Sequence, residues 1–195
     1  MLKTTIFSTL LAFSLLTQAC SKEKSNKSSE SASAPSANNI MSHNSNEYVL
    51  TGLDSKQYVV TKTTDGYTLE GAKGKVVIFD IFATWCPPCR ATAPHLSALK
   101  KKFKDDLIVI GVTIEENLPN QKLQDFREKY TADYTLVNSN QNRRLVNAMA
   151  TSLDLPSNFP IPIMAIFKDG KLVKHYLGMV EEEFVESDIK RALGK

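Results

Sequence analysis

"VVIFDIFATWCPPCR", residues Val76 to Arg90, is the stretch that decides the fold. Its first seven residues, Val76 to Phe82, form a near-continuous apolar run interrupted only by Asp80. A run of that kind reads as a strand buried on both faces, as in sheets sandwiched between helices. From Pro87 the apolar spacing turns helical, with Ala91, Leu96, Leu99 and Phe103. A buried strand therefore feeds a helix, and Cys86 and Cys89 stand at the junction, directly after Trp85. The first N–H groups of a helix lack partners, and its positive end favours a thiolate on the first sulfur. Pro87 suits the first helical position, because its missing N–H had no partner to lose. With two residues between them, the sulfurs can close a disulfide across the first turn. The pair can then carry two electrons: Cys86 attacks a partner disulfide and Cys89 resolves the mixed disulfide. The two prolines also remove the amide donors between the sulfurs. That weakens thiolate stabilisation and predicts a reducing pair. Asp80 is the misfit in the strand. Burial disfavours its charged form, so its pKa is expected to rise; the plain alternative is a solvated strand face.

Outward from this stretch, strands and helices alternate. Tyr48 to Thr51 and Gln57 to Thr61 read as a hairpin around Gly52 and Asp54, and "YTLEGAKGK" as a short strand with a glycine turn. "LIVIGVTI", Leu107 to Ile114, is a second buried strand. Pro119 to Tyr130 is expected to be helical, Tyr134 to Val137 a strand and Gln141 to Ala150 a helix. Ile163 to Phe167 and Leu172 to Leu177 are strands joined by the turn "KDGK". Glu181 to Leu193 closes the chain as a helix, acidic in its first turn and basic near its end. The order implies an α/β domain over 47–195: a central mixed sheet flanked by helices, with an N-terminal β-hairpin.

Taken together, "VVIFDIFATWCPPCRATAPHL" resembles the active-site strand and helix of the thioredoxin superfamily. "KGK" ahead of "WCPPC" is most similar to the TlpA, ResA and DsbE branch of exported, membrane-tethered thiol:disulfide oxidoreductases. Pro94, five residues after Cys89, matches the proline in that family's first long helix. "FPIPIMAIFKDGK" matches the segment in which a cis-proline opens a strand, with Pro162 in the cis position and Ile161 before it; Pro160 fits the register less well. The 73 positions from Cys89 to Pro162 leave room for a TlpA-type central insert at about 117–147. The resemblance implies that Trp85, Ile161 and Pro162 receive the substrate. It implies that Asp80 passes protons to and from Cys89, and that Glu116 is an acid near the site, a place its neighbour Glu115 could equally fill. It also implies a reductant of protein disulfides. The favoured substrate is apocytochrome c, whose CxxCH thiols must be reduced before haem attachment, and a DsbD- or CcdA-type membrane carrier would re-reduce the pair. The alternatives are a broader disulfide reductase or isomerase, and a non-catalytic binding lipoprotein.

The N-terminus points to export. Lys3 precedes an apolar run from Thr4 to Leu16, shorter than the roughly 20 residues that span a bilayer. This reads as a signal peptide over 1–19. "LLTQAC" ends with Ala19 before Cys20, which resembles the lipobox of bacterial lipoproteins and makes Cys20 the candidate lipid anchor on the periplasmic side. Thr17 and Gln18 depart from the usual pattern, and cleavage by the ordinary signal peptidase near Ala19 is the alternative. Residues 20–46 read as a disordered tether, because nine Ser and five Asn between Ser21 and Asn46 leave too little apolar surface to order it. The net charge of +3 comes without a basic block, which argues against nucleic-acid binding. Two cysteines and scattered histidines are too few for a zinc site, and Arg90 stands where a covalent haem site needs His. No cofactor beyond the Cys86–Cys89 disulfide is expected.

Overall fold

All seven residues of the strand Val76–Phe82 are buried, Asp80 included. In the computed structural model, which describes residues 45–195, this strand is the middle of the main sheet. The signal peptide, Cys20 and the tether as far as residue 44 lie outside the described residues. In chain order the elements are β1 (Glu47–Thr51), β2 (Gln57–Lys62), β3 (Tyr67–Leu69), β4 (Val76–Phe82), α1 (Pro87–Phe103), β5 (Leu107–Thr113), α2 (Asn120–Tyr130), β6 (Thr135–Val137), α3 (Asn142–Ser152), β7 (Ile163–Lys168), β8 (Lys171–Leu177) and α4 (Glu182–Leu193).

The five-stranded sheet runs β6-β5-β4-β7-β8. β4 pairs parallel to β5 and antiparallel to β7, so the sheet is mixed, as the alternation of elements implied. Successive residues of a strand point to opposite faces. Val76, Ile78 and Phe82 pack on one side with residues of α1, α2 and α4. Val77, Phe79 and Ile81 pack on the other with α3 and the N-terminal strands. This parity places Asp80 on the α1 side, the side that holds Cys86 and Cys89. There Phe82 meets Phe126 of α2 with ring centroids 4.8 Å apart. Burying an aromatic side chain of this size is worth about 1.5–3 kcal/mol.

The hairpin expected at the N-terminus gains a third strand. β3 pairs with β2, Leu69 opposite Val60, to make an antiparallel sheet β1-β2-β3. That small sheet is tied to the edge of the main one: Leu53 N–H donates to the Leu136 carbonyl and Asn138 N–H to that of Thr51. The segment read as an insert contains α2, β6 and the front of α3. β6 therefore extends the main sheet and also receives the small one.

Candidate active site

Cys86 is the N-cap of α1, with extended backbone, and its sulfur accepts the Cys89 N–H at 3.3 Å. Pro87 and Pro88 occupy the first helical positions and offer no N–H. The first amide that the sequence retains is thus the one aimed at the sulfur. Cys86 and Cys89 are joined as a disulfide with Cα atoms 5.3 Å apart. The first turn of α1 contains no acid, so nothing there opposes a thiolate.

Across the sulfur lies the loop before β7. The Ile161–Pro162 bond is cis, and the Ile161 carbonyl oxygen is 3.7 Å from Cys86 Sγ. Both cysteines are 2 % exposed, whereas Trp85 is 59 % exposed. The structure thus brings Trp85, Cys86, Cys89, Ile161 and Pro162 together from the β4–α1 and α3–β7 connections.

Asp80 lies on the same side of the sheet and is 2 % exposed. Tyr134, just ahead of β6, donates its hydroxyl to Asp80 Oδ2 at 3.0 Å; Oδ1 is buried and has no partner among the described residues. Burial pushes the carboxyl up to about 7, against the pull of the Tyr134 hydrogen bond. Gly111 makes the pair possible. It stands opposite Asp80 in the β4–β5 register, and a Cβ there would lie 3.0 Å from Tyr134 Cε2 and 2.7 Å from Leu136 Cδ2. The partner of Asp80 was not legible in the sequence. The only cue was the rule that a buried acid has a donor, and nothing local says which residue supplies it.

Of the two acids after β5, the inner place belongs to Glu115. Its Oε2 accepts the Thr84 N–H at 2.6 Å and its Oε1 the Thr84 hydroxyl at 3.0 Å. The Thr84 carbonyl in turn accepts from Arg90 Nε at 2.8 Å, and the Arg90 guanidinium lies over the Tyr130 ring. Glu115 and Arg90 thereby hold both sides of the loop that carries Trp85. Glu116 is exposed and, among the described residues, makes one long ion pair, 3.8 Å, with Arg143. Just past the end of β5, Thr113 holds Glu115 in this place: its hydroxyl accepts the Glu115 N–H at 3.1 Å and lies 3.3 Å from Glu115 Oε2, to which it donates.

The Redoxin family matches residues 30–193. The thioredoxin-like protein YneN of Bacillus subtilis is 26% identical over 103 residues, 52% of this chain and 59% of its own length. The thiol-disulfide oxidoreductase ResA of the same species is 27% identical over 142 residues, 71% of this chain and 74% of its own. Among solved structures, a thioredoxin-family thiol:disulfide interchange protein from Chlorobium tepidum superposes with a TM-score of 0.59 at 20% identity, covering 76% of this chain and 94% of that one. That likeness bears on the fold. The family match, the ResA relative and the paired cysteines at the tip of α1 lead to one conclusion: this chain belongs to the Redoxin family, as a thioredoxin-fold thiol:disulfide oxidoreductase.

Proposed function

We propose that the chain is an exported reductant of protein disulfides, with apocytochrome c CxxCH pairs as its substrate. The observation that carries the reading is the placement of Cys86 Sγ: at the helix cap, under one amide, beside the backbone carbonyl that precedes a cis-proline. In the reduced protein, Cys86 thiolate attacks one sulfur of the substrate disulfide. That S–S bond breaks, and the substrate's other sulfur leaves and takes a proton. Cys89 gives its proton to Asp80, attacks Cys86 Sγ and forms the Cys86–Cys89 disulfide. The remaining substrate sulfur leaves as a thiolate and is protonated. The substrate gains two electrons and the protein's dithiol loses two. Trp85 and the backbone of Ile161 receive the peptide. Because Cys86 is covered, a substrate seated on these groups has the advantage over a free small disulfide.

A single amide on the sulfur stabilises the thiolate less than several would, which supports a reducing potential. A membrane carrier of DsbD or CcdA type would restore the dithiol. Anchoring through a lipidated Cys20, with 20–46 as tether, would hold the domain at the periplasmic face of a membrane.

Cys89→Ser expressed in the host tests the substrate, because the mixed disulfide can no longer be resolved. Apocytochromes joined to Cys86 are the expected catch. A catch of unrelated proteins would replace the assignment with a broader reductase, and no catch would remove the exchange mechanism. Equilibration with glutathione is expected to give a potential more negative than about −200 mV. A value near that of strong oxidants, about −120 mV, would reverse the direction.

A further inference from the structure

Asp80 has two oxygens and one partner. Tyr134 takes Oδ2 and leaves Oδ1 bare, buried on the side of the sheet where the cysteines pack. Three features arrange this. Gly111 clears the lane between Tyr134 and β5, since any Cβ at that position would crowd the ring. The Tyr134 carbonyl is held by Arg127 Nη2 at 3.2 Å, which anchors the backbone that carries the ring. The hydroxyl itself is buried and its pKa is pushed well above the ordinary value of 10, chiefly by burial and then by the Asp80 charge, so it remains a donor.

We propose that Tyr134 is the positioning residue for proton transfer in this site: by donating to Oδ2 it favours the ionised carboxylate and leaves Oδ1 as the atom that exchanges a proton with Cys89. The proposal rests on the reading of Asp80 as the proton acceptor for Cys89. In the mixed disulfide the Cys89 S–H bond breaks and its proton goes to Oδ1. The Cys89 sulfur then bonds to Cys86 Sγ, and the substrate sulfur departs with the electron pair. The neighbours across the strand ladder, Gly111 on β5 and Met164 on β7, do not titrate. The packed faces of α2 and α4 contribute apolar side chains, Leu123, Phe126, Val185 and Ile189. Besides Tyr134 and the two cysteines of the α1 junction, the titratable groups packed on this side are His95 of α1, Tyr130 of α2, and Tyr176 of β8, which donates to the buried Asp188 of α4; among the described residues Tyr134 alone hydrogen-bonds to Asp80. Arg127 meets the Tyr134 backbone rather than its hydroxyl.

The test uses dithiobisnitrobenzoate on the reduced protein. It releases one coloured thiolate when Cys86 forms the mixed disulfide and a second when Cys89 resolves it. The second release is followed against pH in wild type, Tyr134→Phe, Asp80→Asn and the double variant. In wild type its rate should rise with an inflection set by Asp80. Tyr134→Phe removes a donor to the carboxylate, so the inflection should move up by about one pH unit and the rate below it fall about tenfold. The two profiles should converge at high pH. Asp80→Asn should abolish the inflection, and Tyr134→Phe should then add nothing. If Asp80→Asn loses the inflection while Tyr134→Phe leaves it in place, Tyr134 has no such role and the Asp80 reading stands. If the inflection survives Asp80→Asn, the Asp80 reading fails and takes this one with it. Should Tyr134→Phe fold poorly, a fluorotyrosine placed at residue 134 settles the matter. It is a stronger donor of nearly the same size, so it should move the inflection down; an unmoved inflection overturns the proposal.

Discussion

Asp80 is an acid placed where the protein must bear its charge in a dry environment. Burial raises its pKa from 3.8 to about 7, and the Tyr134 hydroxyl offsets part of the rise. In the unfolded chain the same carboxyl ionises near 3.9. Between about pH 4 and pH 7 the folded state therefore keeps a proton that the unfolded state has lost. Stability contributed by the protonated form is full below pH 4 and is lost as pH rises through about 7, by up to roughly 1.4 kcal/mol per unit. Asp80→Asn retains the shape and the acceptor for Tyr134 but never ionises. Thermal melts should show the variant close to wild type at pH 4 and clearly more stable at pH 8. Equal gains at both pH values would mean that Asp80 is not the group that titrates. An acid retained at such a cost is expected of a site rather than of a core.

At the scale of elements, the strand-to-helix junction works because a second connection braces it. The β4–α1 loop lies between Glu115, which accepts both the N–H and the hydroxyl of Thr84, and Arg90, which donates to the Thr84 carbonyl. Glu115→Ala leaves a half-buried N–H and the Thr84 hydroxyl without acceptors. This should cost about 1–3 kcal/mol and slow thiol exchange at Cys86 by loosening the turn that presents it. Glu116→Ala removes one exposed ion pair and should stay within about 0.5 kcal/mol of wild type. Urea titrations of the two variants side by side check both figures, and equal losses would refute the assignment of the inner place to Glu115.

The whole domain is two apolar layers around one mixed sheet, and its N-terminal sheet is attached at an edge. Besides the hydrogen bonds to β6, the attachment uses Arg144 of α3, which lies over the Tyr48 ring 4.1 Å from its centroid and donates to the Glu47 carbonyl. Arg144→Ala should quicken amide hydrogen exchange in residues 47–62 and leave β4 and α1 as they were. Faster exchange throughout the domain would mean that the small sheet is part of the same cooperative unit as the active site.

What the chain order could tell was local. β4 spans Val76–Phe82 and α1 Pro87–Phe103, as read, because an unbroken apolar run and a helical repeat are periodic signals carried by neighbouring residues. Cys86 at the helix cap, with Cys89 in the first turn, was legible from the same strand-to-helix junction, whereas Pro162 as the cis residue was an expectation carried by the resemblance of its segment to the thioredoxin superfamily. Three features came only from tertiary structure: Tyr134 as the partner of Asp80 across 54 positions, Gly111 making room for it, and Glu115 turning inward in place of Glu116. Each depends on which residues the sheet sets side by side. Strand register is decided by the burial of a whole face at once, so it leaves no mark at any single position of the sequence.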